Sequence, residues 1–160
     1  NIPREFIPAV NKGLEATVKA GGKLGFPFVG VKATLYDGKY HDVDSSELAF
    51  QQAGALAFRQ ACQGNITLLE PIMKVEVRVP EEFLGAVVGD LNSRRGEVSD
   101  VDTLDDQRIV RGMVPIAEMF AYSSSLRGAT QGRGSYSMEL EEYRETPMHI
   151  ASKILEADPE

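Results

Sequence analysis

The sequence of 160 residues contains no tryptophan, one cysteine and two histidines. Because a single thiol, Cys62, can form neither a disulfide framework nor a cysteine-rich metal cluster, we expect no metal cofactor and a reducing compartment such as the cytoplasm. No apolar run approaches the roughly 20 residues of a membrane-spanning helix, so no membrane partner is predicted. The opening residues NIPREFIPAV lack the charged and apolar regions of a signal peptide.

The charge is negative overall but unevenly distributed. A net charge of −7 argues against indiscriminate binding to nucleic acid. Residues 139–160 carry seven acids and two bases, a net charge of −5. Residues 107–134 carry four arginines and one glutamate, a net charge of +3. The most unusual part of this basic region is RGATQGRG, residues 127–134, which places three glycines and two arginines before a strand pattern.

The first third of the chain predicts two helices and one strand. Apolar residues at spacings of three and four predict a helix over residues 7–20, and alternation predicts a strand over 28–36. A second helix is expected from about Ser45, with Asp44 as its N-cap and Glu47 completing a capping box. A lone strand cannot form a sheet. Its partner comes either from the second half or from upstream of Asn1; we favour the upstream origin and expect the chain to be a piece of a longer protein.

The second half predicts the order β-α-β-β-α-β, which is typical of a ferredoxin-like fold. Strands are expected over residues 73–79, 97–102, 108–114 and 136–140, with a turn at Asp105-Asp106. A first helix begins at Pro80 and is capped by Gly96. The second is indicated by the apolar residues Ile116, Met119, Phe120 and Leu126. The predicted fold class is therefore α+β.

Several stretches resemble the C-terminal part of the bacterial elongation factor G family. They are LYDGKYHDVDSSELAF, LLEPIMKVEV, LNSRRGEV, VPIAEMFAYSSSLRGATQGRGSYSM and EEY, in this order along the chain. The resemblance implies that residues 1–67 are the end of domain IV, a partial ribosomal-protein-like α/β domain. It implies that residues 68–147 are a ferredoxin-like domain V and that 148–160 form a tail or terminal helix.

The resemblance also implies a function. The family's proteins are translational GTPases that move tRNA and mRNA through the ribosome, with the tip of domain IV directed to the decoding site. The implied partners are ribosomal RNA, the tRNA–mRNA pair and the upstream domains of the same protein. GTP and Mg²⁺ would bind in an upstream domain that this sequence lacks, so no catalysis and no cofactor are expected in these residues.

Three positions depart from the family pattern. The family usually has glycine at Ala121, often serine at Gly128 and commonly histidine at Glu142. A divergent branch or a paralogue, acting in ribosome recycling or ribosome protection, is therefore an alternative. A free-standing ferredoxin-like interaction module is an alternative of a different class.

The resemblance places Lys39 and His41 in the tip loop, where an imidazole can hydrogen-bond to RNA or stack on a base. The alternative is an ordinary exposed loop before a capped helix. Two adjacent arginines, Arg94 and Arg95, end the first helix of the second half. They are candidates for phosphate contact, and the alternative is that they stabilise the negative end of the helix dipole.

The RGATQGRG turn supplies the remaining candidates, Arg127, Gln131 and Arg133. Its glycines are expected to adopt positive φ, which explains the turn but not the two arginines. We predict that the arginines face RNA or the upstream domains. The turn is not a phosphate-binding P-loop, because the sequence has no GxxxxGK[ST] motif. The serine run at 123–125 has no histidine placed near it by any motif, so it predicts no nucleophile.

Overall fold

The computed structural model describes residues 2–157. These residues form two compact units, one made of residues 2–66 with 152–157 and the other of Thr67–Ala151. In the described part of the chain, no helix is long and apolar enough to cross a membrane.

The first unit is built on two helices. A 3-10 turn, Arg4–Phe6, leads into helix α1, Ile7–Ala20, and helix α2 covers Glu47–Cys62. The predicted bounds of α1 are confirmed, since the chain leaves the helix at Gly21 with φ of 79°. The start of α2 differs from the prediction, because Ser46 is the N-cap and its Oγ accepts a hydrogen bond from the Ala49 amide at 3.1 Å. The capping role predicted for Asp44 is wrong.

Helices α1 and α2 pack through small residues. A Cβ atom added to Gly13 would lie 2.1 Å from the carbonyl oxygen of Gln51, and one added to Gly54 would lie 2.9 Å from that of Val10. The apolar spacing of α2 predicts a stripe that includes Leu48 and Leu56, but these side chains are 62% and 56% exposed. Glycine is required where two helix backbones come into close contact. A pattern of apolar side chains does not predict such a contact, because glycine has no side chain to count.

The strand predicted over residues 28–36 is not formed. The segment pairs with no other strand among residues 2–157, and Val29 is 69% exposed. Alternating side chains predict that one face is buried, whereas a strand also requires a hydrogen-bonded neighbour. The segment is attached to α1 by a hydrogen bond from the Phe28 amide to the Val18 carbonyl at 3.0 Å.

The second unit is a four-stranded antiparallel sheet with helices, and it confirms the predicted ferredoxin-like order. The elements are β1 (Leu69–Pro80), α3 (Leu84–Ser93), β2 (Glu97–Leu104), β3 (Gln107–Pro115), α4 (Tyr122–Ala129) and β4 (Ser135–Glu145). The strand order in the sheet is β2-β3-β1-β4. Helix α5 (Met148–Glu156) follows, within the predicted tail, of which residues 158–160 lie outside the described residues.

The core of the second unit lies between the sheet and its helices. Val75, Val77 and Val79 of β1 are fully buried, while Lys74, Glu76 and Arg78 alternate with them and point to the opposite face. The other buried members of this core are Met73, Val87, Leu91, Val110, Val114, Met119, Tyr122 and Leu126. The period-two pattern of the sequence therefore identified the buried face of β1 correctly.

Helices α3 and α4 end in the same way. In α3 the left-handed residue is Arg95, with φ of 56°, and the Gly96 amide donates to the Leu91 carbonyl at 2.9 Å. In α4 the left-handed residue is Gln131, with φ of 53°, and the Gly132 amide donates to the Arg127 carbonyl at 2.9 Å. Both are Schellman-type ends. The left-handed cap is thus a long polar residue in each case.

Gly96 is required for space. A Cβ atom added there would lie 2.5 Å from the Leu91 carbonyl oxygen and 3.0 Å from Cγ2 of Val114. We therefore expect Gly96→Ala to destabilise the second unit by about 1–3 kcal/mol, as overpacking does. The control is Gly89→Ala in the exposed middle of α3, where an added Cβ has no neighbour within 4 Å. This change should stabilise by about 0.5–1 kcal/mol, because alanine favours a helix over glycine. Urea unfolding followed by circular dichroism measures both, and equal effects would contradict this account.

Candidate functional site

The RGATQGRG turn is held in shape by Thr130, which is fully buried. Its hydroxyl donates to the Leu126 carbonyl at 2.6 Å and accepts from the Gly134 amide at 2.9 Å. Of the three glycines, only Gly132 has the predicted positive φ. Gly128 belongs to α4, and Gly134 is needed because an added Cβ would lie 2.8 Å from the Thr130 hydroxyl. The turn is therefore a platform closed by internal hydrogen bonds. The predicted positive φ is wrong for Gly128 and Gly134.

Arg127 and Gln131 lie exposed on this platform. Arg127 is in the last turn of α4, where a cation is favourable to the helix dipole. Gly128 beside it has no atom within 4 Å of the place where a side chain would begin. A partner can therefore approach the backbone closely next to the guanidinium.

Arg127 differs from every other arginine of Thr67–Ala151, a segment that the structure describes throughout. Seven of its eight arginines form ion pairs with carboxylates of the same unit: Arg78, Arg94, Arg95, Arg108, Arg111, Arg133 and Arg144. Arg127 has no ion pair within the described residues. It is the one guanidinium of the unit that is not paired with a carboxylate of the described residues.

Arg133, at the other end of the turn, is partly neutralised. Its Nη2 contacts a carboxylate oxygen of Glu82, and its guanidinium lies 4.9 Å from the centre of the Phe83 ring. Its side chain is still 50% exposed. Glu82 and Phe83 belong to the 3-10 turn Glu81–Phe83 that leads into α3. The structure thus places Arg133 on the surface but with an intramolecular anion already bound.

The guanidinium of Arg94 is occupied within the unit. Its Nη1 donates to the Glu118 and Phe120 carbonyls at 2.6 and 3.3 Å, and its Nε donates to Asp90 at 3.0 Å. Its Nη2 donates to the Ser125 hydroxyl at 3.0 Å. Four of the five N–H groups of this arginine are therefore used. These bonds connect the end of α3 to the start of α4, and phosphate contact by Arg94 stays a prediction.

Arg95 is likewise engaged. It forms a two-point ion pair with Glu70, at 2.9 and 3.0 Å, and a third bond to Glu118 at 3.0 Å. Hydrogen bonding to Glu70 raises the pKa of Arg95 further above its ordinary value. The Glu70 side chain is only 12% exposed, so this pair is protected from water. Arg95 is therefore held by intramolecular ion pairs, and its contact with the ribosome stays a prediction.

The open face of the sheet also neutralises its own charges. Arg111 lies between Glu76 at 3.2 Å, Asp100 at 3.0 Å and Asp102 at 3.8 Å. Hydrogen bonds from Arg78 and Arg111 hold the pKa of Glu76 below its ordinary value. This face therefore offers no unpaired guanidinium, in contrast to the end of α4.

The two tip-loop candidates belong to the first unit. His41 is 68% exposed, and its Nδ1 accepts from the Val43 amide at 3.3 Å and lies 3.4 Å from Asp44. The Ser45 hydroxyl accepts from the His41 amide at 2.8 Å, which closes the loop on itself. Lys39 is exposed nearby in sequence. Asp44 thus contacts the histidine instead of capping α2, and contact of Lys39 and His41 with RNA stays a prediction.

Sequence reasoning missed Phe120. Its apolar character predicted a place on the buried face of a helix, but its side chain is 87% exposed and precedes α4. The adjacent Met119 is buried instead, and Arg94 bonds to the backbone on either side of it. The sequence did contain a signal for this, because Met119 and Phe120 are adjacent and two adjacent residues of a helix cannot both lie on its buried face. Phe120 is therefore an exposed aromatic on a fixed backbone.

No cluster of three or more metal-ligating side chains is present among residues 2–157. Cys62 is partly buried at the end of α2. Ser125 accepts from Arg94, so this member of the serine run has a structural contact.

Comparison with known protein families matches both units. Residues 1–64 match a family model described as elongation factor G, domain IV, and residues 67–154 match one described as elongation factor G C-terminus. The chain belongs to the elongation factor G family. A crystal structure of a protein from Thermus thermophilus has 40% sequence identity and a TM-score of 0.82. The match covers 96% of this chain and 24% of that one.

Ala121 occupies a position where the backbone conformation favours glycine. The elongation factor G resemblance implies glycine at this position, and Ala121 adopts a left-handed conformation with φ of 57° at the start of α4. That conformation costs an L-residue about 1–2 kcal/mol.

We expect Ala121→Gly to stabilise the second unit by about 0.5–1 kcal/mol, because relief of this strain exceeds the added entropy of the unfolded chain. The matched control is Ala86→Gly in α3, which should destabilise by about 1 kcal/mol. Thermal unfolding followed by circular dichroism compares the two variants with the unaltered chain. Loss of stability in both would show that the left-handed residue is not strained.

Proposed function

We propose that this chain is the C-terminal part of a translation elongation factor that promotes GTP-dependent movement of tRNA and mRNA on the ribosome. Membership of the elongation factor G family supports this proposal. In this proposal GTP and Mg²⁺ bind in a domain that these residues do not contain. The present residues bind the ribosome in the cytoplasm and hydrolyse no GTP themselves.

One observation carries the ribosome-contact proposal, namely the unpaired guanidinium of Arg127 at the end of α4. The other arginines of the second unit are bound to carboxylates, and a chain of net charge −7 does not attract RNA as a whole. An exposed arginine beside accessible backbone suits a phosphate group, which a guanidinium can bind at two points. Gln131, in the same turn, adds an amide that can hydrogen-bond to RNA.

The first unit contributes a second proposed contact. Lys39 and the exposed imidazole of His41 lie before α2, on an exposed loop that is closed by an internal hydrogen bond. In the elongation factor G family this loop is directed to the decoding site. We therefore propose that it contacts the tRNA–mRNA pair there.

The test is pelleting of the chain with ribosomes over a series of salt concentrations. Arg127→Ala should weaken binding about tenfold, because a charge-assisted hydrogen bond is lost. It should also reduce the slope of log affinity against log salt by about 0.7–0.9, the value for one phosphate contact.

The control is Arg144→Ala, which removes an arginine already paired with Glu142 and Glu97. This variant should bind like the unaltered chain. If the two variants bind equally well, Arg127 makes no specific contact and the proposal for this surface is wrong.

A further inference from the structure

We propose that Glu82 is a built-in competitor for the phosphate that would bind Arg133, and that it limits this surface to RNA of suitable shape. The inference rests on the proposed ribosome contact and adds a residue that determines its specificity. It concerns the contact between the 3-10 turn at the start of α3 and the turn that follows α4, two segments separated by about fifty residues in the sequence.

Arg133 is positioned by two groups that leave most of its donors unused. One N–H group, on Nη2, bonds to Glu82, and the Phe83 ring supports the guanidinium at 4.9 Å. Its Nε and Nη1 have no hydrogen bond to any residue in the described part of the chain. The ring and the carboxylate therefore fix the guanidinium in place while its remaining N–H groups stay available to an anion.

The pair is weak enough to be displaced. Its side chains are 50% and 60% exposed, and an exposed pair of this kind changes an equilibrium by at most about fivefold. Arg94 and Arg95 differ, because their side chains are 15% and 25% exposed and each makes several intramolecular hydrogen bonds. Among these three arginines, Arg133 is the one that a phosphate can recruit by displacing a single carboxylate.

Glu82 would then favour RNA that makes more than one phosphate contact with this surface. An RNA that reaches only Arg133 must displace a carboxylate for one phosphate contact, and gains little. An RNA that places phosphates at both Arg127 and Arg133 gains the unopposed contact first, and the second contact follows at high local concentration. Removal of the Glu82 charge should therefore increase binding to unstructured RNA more than binding to ribosomes.

The experiment compares Glu82→Gln with Glu141→Gln, an exposed glutamate of β4 whose replacement changes the net charge equally. Polyuridylate and ribosomes are the two probes, each measured over a salt series. Circular dichroism verifies that all variants remain folded. The double variant Glu82→Gln/Arg133→Ala tests whether any gain depends on Arg133.

We expect Glu82→Gln to bind polyuridylate about three- to fivefold more tightly and to steepen its salt dependence by about 0.7, the value for one single-strand phosphate. The gain on ribosomes should be smaller, Glu141→Gln should stay within about twofold of the unaltered chain, and the double variant should lose the gain.

Three contradicting outcomes can be told apart. If Glu82→Gln and Glu141→Gln bind polyuridylate alike while Arg127→Ala still weakens ribosome binding, the inference is wrong and the proposed function stands. If the unaltered chain and Arg127→Ala both fail to bind ribosomes, the proposed ribosome contact is wrong. A gain on polyuridylate that persists in the double variant would overturn the role of Glu82 whatever the ribosomes show.

Discussion

Strand β1 is hydrogen-bonded along both edges, and the second unit depends on this double pairing. Val75 pairs with Gly112 of β3 and with Met138 of β4, and Val77 pairs with Val110 and Tyr136. Because these valines are fully buried, one face of the strand must be covered by α3 and α4. The two helices therefore end at fixed places, and each presents a long polar residue in a left-handed cap. The candidate contact surface lies at the end of α4, which packs with its buried residues Tyr122 and Leu126 in the same core as these valines.

Carboxylates determine which cations remain available on this scaffold. The chain carries 24 acidic and 17 basic residues, and its second unit uses acids to bind seven of eight arginines. Such pairs contribute little to stability where they are exposed. Their larger effect is on recognition, because they remove positive charge from the sheet face and leave it at the end of α4. An acidic protein can bind RNA selectively when its unpaired cations are few and rigidly placed.

Hydrophobic periodicity predicted β1, β3, α3 and α4 because each of them has buried residues on one face, whereas β2 and β4 are almost entirely exposed. The same reasoning failed over residues 28–36, where alternation is present but no strand lies alongside, and at Gly13 and Gly54, where backbones meet. Roles of single arginines were not predictable, since their partners are distant in sequence. Arg95 binds Glu70, 25 residues away, and Arg133 binds Glu82, 51 residues away. The RGATQGRG motif contains both Arg127 and Arg133. Only the fold shows that Arg133 is paired with a carboxylate while Arg127 is not.

Photocrosslinking from position 128 is the most direct measurement of whether the end of α4 faces RNA. Gly128 is exposed and has open space around it, so p-benzoylphenylalanine placed there leaves the Arg127 side chain intact. The same probe at position 141 of β4 is the control. Irradiation of the chain bound to ribosomes should attach position 128 to ribosomal RNA and position 141 much less. Crosslinks from position 128 to protein alone would contradict the account and show that this surface faces a protein partner.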